Sequence, residues 1–173
     1  MNVDELETER LVLTPISLAD SPGMFLLWSD PEVCRYSGPI HDVEGRPVPS
    51  PVSHPSESDR IIDFWERASV AGWGLRWAIR ERSSGDFLGT TGFNSLATCA
   101  EYAYHLRQPF WGRGFMSEAT VAALAWVRRA GSTQVEAFIE PANENSIEFA
   151  ERHAFERTGE VQDGALRFVK RLG

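Results

Sequence analysis

The chain of 173 residues, 42% hydrophobic and 24% charged, has the length and composition of one globular domain, which we expect to span residues 1–173. No apolar stretch approaches the roughly 20 residues that cross a bilayer, and the acidic residues 1–10 lack a signal-peptide pattern, so we expect a cytoplasmic protein without membrane contact. The net charge of −8 disfavours a protein that coats nucleic acids, because such proteins usually present a basic surface.

The front of the chain predicts a strand, an irregular helix and a long loop. Residues 10–13 alternate in polarity as a short strand does, and residues 17–29 predict a helix that Pro22 and Gly23 leave irregular or broken. Residues 38–55 are rich in proline and predict a loop. This loop is either a substrate-facing segment or a mobile connector, and both interpretations stay open at this point.

A helix and a hairpin follow. Apolar residues recur at helical spacing over residues 59–70, after Ser56, which resembles the first residue of a capping box. Residues 75–80 alternate in polarity, a turn sequence follows, and residues 87–93 return, which predicts a hairpin.

The next strand, residues 100–106, has two faces that carry different side chains. Because successive side chains of a strand point to opposite faces, the sequence divides them into two sets. One face has Glu101, Ala103 and His105, and the other has Tyr102, Tyr104 and Leu106.

The second half of the chain alternates helices with strands. In chain order we predict a helix from Phe115 to near Gly131, a strand over 134–139, a helix over 146–153, and closing strands from Phe155 and over 166–170, joined by a turn at Asp163-Gly164. Together with the hairpin, this order predicts one α/β domain with a mixed sheet.

The turn Trp111–Phe115 is the segment that points most directly to chemistry. Gly112 and Gly114 permit positive φ and leave successive backbone amides pointing outward. The first turn of the following helix adds unpaired N–H groups and the positive end of its dipole. These features predict a seat for a diphosphate, to which Arg113 can add one charge. Taken alone, the glycines fit a simple chain turn equally well, and they match neither the Rossmann fingerprint nor the P-loop.

Several short segments stand in the order and spacing of a known family. They are Thr8-Glu9-Arg10-Leu11, Phe87-Leu88-Gly89 before Gly92, Ala100-Glu101-Tyr102-Ala103-Tyr104, Gly112-Arg113-Gly114, Glu118-Ala119, Asn143 with Ser146, and Glu151-Arg152-His153-Ala154-Phe155. In this arrangement the chain resembles the GNAT superfamily, specifically its RimJ/RimL-like protein N-acetyltransferases, over nearly its whole length. It departs from the family at Pro109, where many members have Arg or Gln, and at Ala154, where Gly is usual.

The resemblance implies a fold and a reaction. The implied fold is a single GNAT-like α/β domain whose mixed, mostly antiparallel twisted sheet is splayed at its centre and flanked by helices. The strand at 104–106 is expected to diverge from the strand at 134–139, with the pantetheine arm of acetyl-CoA in the gap. An acetyl group would pass directly from CoA to a primary amine in a ternary complex. No metal is expected, because neither Cys34 nor Cys99 has a second Cys or a His at ligand spacing.

The predicted catalytic base is Glu101, which matches the acidic position of the family's strand. A carboxylate on a central strand must be paired, hydrated or functional, and Glu101 can act directly or through a water. The alternative is that it orders the substrate or pairs with an arginine. His105 is a second candidate base because imidazole titrates in the useful range, although a strand histidine is more often a packed one.

Ser146 matches a serine that in some relatives protonates or hydrogen-bonds the CoA sulfur, and we count it as catalytic. Ser146 and Asn143 are alternatively helix caps, and Arg152 either reaches the adenosine 3′-phosphate or is a solvated charge. The predicted cofactor contacts are Tyr104, His105, Leu106, Trp111, Gly112, Arg113, Gly114, Phe115, Met116, Ser117, Asn143, Ser146 and Arg152.

The resemblance leaves the acceptor amine open. It favours a protein or peptide N-terminus, and the alternatives are a small-molecule amine or an aminoacyl-tRNA, the last disfavoured by the charge of −8. A different class of alternative is a non-catalytic acyl-CoA-binding sensor that keeps the fold without turnover. The chain is expected to be a monomer or a homodimer.

Overall fold

A sheet of eight strands runs through the protein, for which the computed structural model describes residues 4–173. The strands of the described part are β1 (Leu6–Glu7), β2 (Leu11–Pro15), β3 (Ile40–His41), β4 (Pro47–Val48), β5 (Leu75–Glu81), β6 (Phe87–Ser95), β7 (Cys99–Leu106), β8 (Gln134–Ile139), β9 (Glu156–Gln162) and β10 (Ala165–Arg171). The order in the main sheet is β1-β2-β5-β6-β7-β8-β10-β9, and β3 pairs only with β4. The predicted α/β class with a mixed sheet is confirmed.

Helices cover both faces of this sheet. They are α1 (Ser21–Trp28), α2 (Pro31–Cys34), α3 (Pro55–Ala71), α4 (Phe115–Arg129) and α5 (Glu144–Arg152), with short 3₁₀ turns at Leu18–Asp20 and Gln108–Phe110. Within residues 4–173, none of these helices combines the length and the apolar character that crossing a membrane requires.

Alternation along the strands divides the core in two. On β5, Trp77 faces α4 and packs edge-to-face on Trp126 with ring centroids 5.1 Å apart. Ala78, its neighbour, points to the opposite face and joins Ile62 of α3 in a second core. Because successive side chains of a strand point to opposite faces, each face of β5 packs against its own layer of helices. The predicted hairpin of β5 and β6 is confirmed.

The sheet opens between β7 and β8. These strands pair in parallel only from Cys99 to Glu101 on β7 and from Gln134 to Glu136 on β8. Beyond Glu101, β7 continues to Leu106 and pairs with no other described strand on that side. The expected splay is therefore present, and it leaves a gap whose open end lies next to the turn before α4.

The helix predicted at residues 17–29 begins later than expected and is not broken. A 3₁₀ turn at Leu18–Asp20 precedes α1, which starts at Ser21 and has Pro22 in its first turn. A first-turn residue has no helical partner for its N–H, so the proline fits there without loss of a hydrogen bond. Pro22 therefore marks the start of the helix.

The helix predicted at residues 59–70 begins one turn earlier, at Pro55, and its cap is His54, not Ser56. The His54 ring accepts a hydrogen bond from the Ser56 amide at 3.2 Å. The Glu57 carboxylate accepts in return from the amide of His54 at 3.1 Å. The proline that suggested a loop occupies the first helical position, where its fixed φ suits the helix.

The proline-rich segment, residues 38–55, contains the β3–β4 hairpin and is organised by Asp42. The Asp42 carboxylate is buried and accepts hydrogen bonds from the backbone amides of Glu44 and Arg46, at 3.0 and 2.9 Å. It also accepts from the guanidinium of Arg60 on α3, at 2.9 and 2.6 Å. These bonds tie the hairpin to α3, which does not fit a mobile connector.

Replacing Asp42 with Asn is expected to lower the melting temperature at pH 7. Burial alone would raise the pKa of Asp42, but hydrogen bonds from the Arg46 backbone and the Arg60 guanidinium outweigh it and hold the pKa far below its usual range. A depressed folded pKa stabilises the protein above the unfolded pKa, about 3.9 for Asp. That stabilisation is lost as the pH falls. The difference in melting temperature between wild type and Asp42→Asn should therefore become smaller below about pH 4.

The matched control is Asp63→Asn on α3, which removes an exposed carboxylate bonded to Arg67 of the same helix at 2.9 Å. Exposed pairs of this kind contribute little, so this variant should melt close to the wild type. A difference in melting temperature between Asp42→Asn and wild type that stays constant down to about pH 2 would contradict the role given to the Asp42 charge.

Candidate active site

The turn that joins β7 to α4 presents a run of unpaired backbone amides. Gly112 and Gly114 have φ of 69° and 76°, in the left-handed region. Gly114 is the cap residue of α4 and has no side chain to satisfy the first amides of the helix. Among residues 4–173, the amides from Gly112 to Ser117 have no hydrogen-bond partner. A helix N-terminus in this condition favours the binding of an anion.

Two side chains flank the turn. The indole N–H of Trp111 donates to the carbonyl of Leu106 at 2.6 Å, which ties the turn to the end of β7. The exposed guanidinium of Arg113 lies 4.8 Å from the ring centroid of Phe115. Arg113 is therefore exposed and next to the unpaired amides, and its contact with a phosphate stays a prediction.

The amides of Tyr104 and Leu106 face the gap between β7 and β8. Arg107 donates its N–H to the Leu88 carbonyl of β6 at 2.8 Å, and backbone groups along an antiparallel strand alternate in direction. The amides of Tyr104 and Leu106 therefore point away from β6. They can hydrogen-bond an extended ligand that fills the gap as a strand would.

Tyr104 and Ser146 join β7 to α5 across the gap. Their hydroxyl oxygens are 2.8 Å apart, and burial raises the pKa of Tyr104 to about 12, against the opposing effect of this hydrogen bond. The cap of α5 is Asn143, whose side-chain oxygen accepts from the Ser146 amide at 3.2 Å. The alternative interpretation of Ser146 as the helix cap is therefore wrong, and its hydroxyl is directed toward Tyr104.

The end of α5 connects to the first turn of α4. Nε2 of His153 and Oγ of Ser117 are 3.0 Å apart, so the predicted contact Ser117 already has a protein partner. Met116, beside it, is buried in the core below the turn. Arg152, in the last turn of α5, is exposed and favourably placed at the negative end of the helix dipole.

On the opposite face of β7, Glu101 ends a polar chain of three residues. The side-chain N–H of Asn94 on β6 donates to Oε1 of Glu101, and its carbonyl oxygen accepts from Arg76 on β5. The Arg76 guanidinium is 6% exposed and lies 4.0 Å from the ring centroid of Trp65. Burial lowers the pKa of Arg76 to about 10, so it remains charged at neutral pH. Asn94 thus fixes one oxygen of Glu101 and leaves the other free.

Glu101 differs from the carboxylate opposite it on β8. Glu136 is its register partner and forms an ion pair with Arg167 at 2.7 Å. Within residues 4–173, Glu101 is in no ion pair within 4.0 Å. The alternative that Glu101 pairs with an arginine is met only indirectly, since Asn94 stands between it and Arg76.

His105 does not lie where either prediction needs it. Its ring packs on Trp28 of α1, with centroids 4.5 Å apart, and its Nε2 is 3.1 Å from Oγ of Ser37. Alternation directs its backbone toward β6, so neither its ring nor its amide reaches the gap. Burial, reinforced by the charge of Arg76, lowers its pKa to about 3, which makes it a poor proton acceptor. The structure thus contradicts both roles given to His105, as cofactor contact and as base.

Asn94 and Arg76 belong to the site but were not predicted from the sequence. The signal was present in the hairpin register, because Asn94 lies near the Glu101 position when β6 and β7 are paired. Continuing the register by one step from Phe93 and Tyr102 places Asn94 at Glu101, although a bulge there sets Ser95 opposite Glu101.

The family follows from comparison with known proteins. A family model described as an acetyltransferase (GNAT) domain matches residues 10–156. This chain belongs to the GNAT acetyltransferase family. It is 30% identical over 167 residues to an uncharacterized N-acetyltransferase, p20, of Bacillus licheniformis, covering 93% of this chain and 87% of that protein. It is 28% identical to the uncharacterized N-acetyltransferase YoaA of Bacillus subtilis, covering 89% and 84%.

Solved structures share the GNAT fold of this acetyltransferase. One is an acetyltransferase of Salmonella typhimurium that modifies the N-terminal serine of ribosomal protein L7/L12, with a TM-score of 0.79 at 16% identity, covering 98% of this chain and 100% of that one. Another is the microcin C7 self-immunity acetyltransferase MccE in complex with acetyl-CoA and AMP, with a TM-score of 0.78 at 17% identity, covering 95% and 94%. At these identities the likeness concerns the fold.

Proposed function

We propose that this GNAT acetyltransferase moves an acetyl group from acetyl-CoA directly to a primary amine, with a protein or peptide N-terminus as the favoured acceptor. The observation that carries the proposal is the run of amides from Gly112 to Ser117, which have no hydrogen-bond partner in the described part of the chain, at the mouth of the gap between β7 and β8. A diphosphate at this turn would place an extended pantetheine arm along the amides of Tyr104 and Leu106. Those amides can also stabilise the thioester oxygen as it gains charge.

The two faces of β7 supply opposite proton functions in this proposal. Glu101 lies on the face of α3 and Tyr104 on the face of α5, because their positions differ in parity along the strand. The acceptor ammonium loses a proton to Glu101, and its nitrogen attacks the acetyl carbon. The C–N bond forms and the C–S bond breaks, and the nitrogen gives its second proton to water. The thiolate takes a proton from the Ser146 hydroxyl, which regains one from water while Tyr104 holds it in place.

The favoured acceptor rests on the fold neighbours and on the charge of the site. The Salmonella acetyltransferase of the same fold acts on a protein N-terminus, and RimL itself is another neighbour, with a TM-score of 0.80 at 16% identity. The free oxygen of Glu101 suits a primary ammonium group. We propose that residues 38–55, tied to α3 through Asp42 and Arg60, contribute to the choice of acceptor.

Calorimetric titration with CoA, followed by a turnover screen, tests the proposal. Acetyl-CoA consumption is measured with peptides of varied N-terminal residue, with polyamines and with aminoglycosides. We expect binding of CoA and turnover with peptides. Absence of CoA binding would contradict the proposal, turnover with small amines alone would contradict the acceptor, and binding without any turnover would indicate a sensor.

Replacing Ser146 with Ala is expected to lower kcat about tenfold or more, since a positioned acid contributes on the order of a hundredfold and water replaces it in part. The Kd for CoA should stay nearly the same because the backbone amides of residues 112–117, and not Ser146, form the diphosphate seat. Tyr104→Phe should have a smaller effect in the same direction, since Ser146 keeps its hydroxyl.

Tyr102→Phe is the matched control for these variants. Tyr102 is two residues away on the same face, and its hydroxyl is 2.7 Å from Thr91 and 2.8 Å from Thr120, remote from Ser146. It should reduce stability by about 1 kcal/mol and leave kcat unchanged. Equal losses of kcat in Tyr102→Phe and Tyr104→Phe would show a general packing effect and remove Tyr104 from the mechanism.

A further inference from the structure

The segment that enters β2 is bonded to the first turn of α4. The Thr8 hydroxyl donates to Oε1 of Glu118 at 2.5 Å, and the backbone amide of Arg10 donates to the same oxygen at 2.7 Å. The guanidinium of Arg10 donates to Oε2 of Glu118, also at 2.7 Å. Both carboxylate oxygens are therefore held by residues more than 100 positions away in the chain.

Arg10 also contacts the turn Trp111–Phe115 itself. Its Nη1 donates to the carbonyl of Arg113 at 2.9 Å, and its guanidinium lies 4.6 Å from the ring centroid of Phe115. Its Nη2 would be 3.4 Å from a Cβ on Gly114. The turn is thus held by one side chain from the segment before β2, near one edge of the sheet.

These bonds have two consequences for an anion at the turn. The Arg113 carbonyl is bonded to Arg10, which satisfies an acceptor that would otherwise repel an anion at the amides of residues 112–117. The Glu118 carboxylate is a negative charge in the first turn of the same helix and would repel a diphosphate. The Arg10 guanidinium, in direct contact with it, neutralises that charge.

We infer that Arg10 is a positioning residue for the CoA diphosphate, acting through the Arg113 carbonyl and the Glu118 carboxylate. The inference rests on the proposed function, since it assumes that the turn seats the diphosphate. The Thr8–Leu11 segment and Glu118 together keep the turn in the conformation that presents its amides.

Arg10→Ala should raise the Kd for CoA about tenfold or more in calorimetric titration of the full chain, as expected for loss of charge-assisted hydrogen bonds. Turnover of acetyl-pantetheine, a donor without the diphosphate, should equal that of the wild type. The matched control is Arg82→Ala, which removes an arginine bonded to the Thr8 carbonyl at 2.8 Å and to Glu7 at 3.2 Å, on the same segment but away from the turn. It should leave the Kd for CoA unchanged.

Two further variants separate positioning from folding. Glu118→Gln in the Arg10→Ala background should recover part of the lost affinity, because it removes the uncompensated negative charge. Arg10→Lys keeps a charge but lacks the fork that bonds Glu118 and Arg113 through separate nitrogens, so its Kd should lie between those of wild type and Arg10→Ala. An unchanged Kd in Arg10→Ala, or equal losses in Arg10→Ala and Arg82→Ala, would overturn the inference. Failure of the wild type to bind CoA would instead overturn the proposed function.

Discussion

Replacing Gly112 and Gly114 together with valine is expected to abolish measurable CoA binding while the protein stays folded. Both positions have positive φ, which a β-branched residue adopts at a cost of about 1–2 kcal/mol each. A valine relieves this strain by changing φ, and the amides of residues 112–117 then no longer converge. Loss of two or more charge-assisted hydrogen bonds, at about 1.5–3 kcal/mol each, raises the Kd about a hundredfold or more.

The control for this variant has the same backbone strain at a distant turn. Gly85 has φ of 75° and, like Gly112, no atom within 4 Å of an added Cβ. Gly85→Val should therefore lower the melting temperature as a single glycine replacement at the seat does, and should bind CoA as the wild type does. If the double variant remains folded and binds CoA with wild-type affinity, the turn does not seat the diphosphate.

Glu101→Gln is expected to lower kcat about a hundredfold, the lower end of what a general base contributes. The substitution keeps the shape of the side chain and an oxygen that accepts from Asn94, so the chain from Arg76 to position 101 survives. The Kd for CoA should not change, because Glu101 lies on the face of β7 away from Tyr104 and Ser146. Glu136→Gln, at the register partner, should reduce kcat far less, since Arg167 already holds that carboxylate.

The pH dependence of this variant separates a base from a substrate anchor. An N-terminal amine has a pKa of about 8, so above that pH most of the acceptor is already deprotonated and needs no base. The deficit of Glu101→Gln in kcat should therefore shrink between about pH 7 and pH 9. A deficit that appears in KM for the acceptor and persists at about pH 9 would show that Glu101 anchors the ammonium group and is not the base.

Features that depend on neighbouring residues could be predicted from the amino-acid sequence alone. Positive φ at Gly112 and Gly114 follows from the absence of a Cβ, and the division of β7 into a Glu101 face and a Tyr104 face follows from the period of a strand. The hairpin of β5 and β6 and the closing hairpin at Asp163-Gly164 likewise depend on a short turn between alternating segments. The resemblance to the GNAT family added the splay between β7 and β8.

Helix starts and buried polar contacts required the structure. Pro55 suggested a loop and Pro22 an irregular or broken helix, since only the tertiary fold shows that each occupies the first turn of a helix. His105 was a candidate because the sequence shows the residue type and strand face but not the ring of Trp28 beside it. Burial against that ring lowers its pKa and removes it as a base.

The turn Trp111–Phe115 shows both contributions at once. Its glycines and the helix that follows them predicted a diphosphate seat, because local backbone conformation and unpaired helix amides need no distant partner. That Arg10 and Thr8 bond Glu118 and that Arg10 bonds the Arg113 carbonyl could be learned only from the folded chain. The order of strands brings these residues together although they are more than 100 positions apart in the chain. No local pattern in the sequence predicts a contact of that kind.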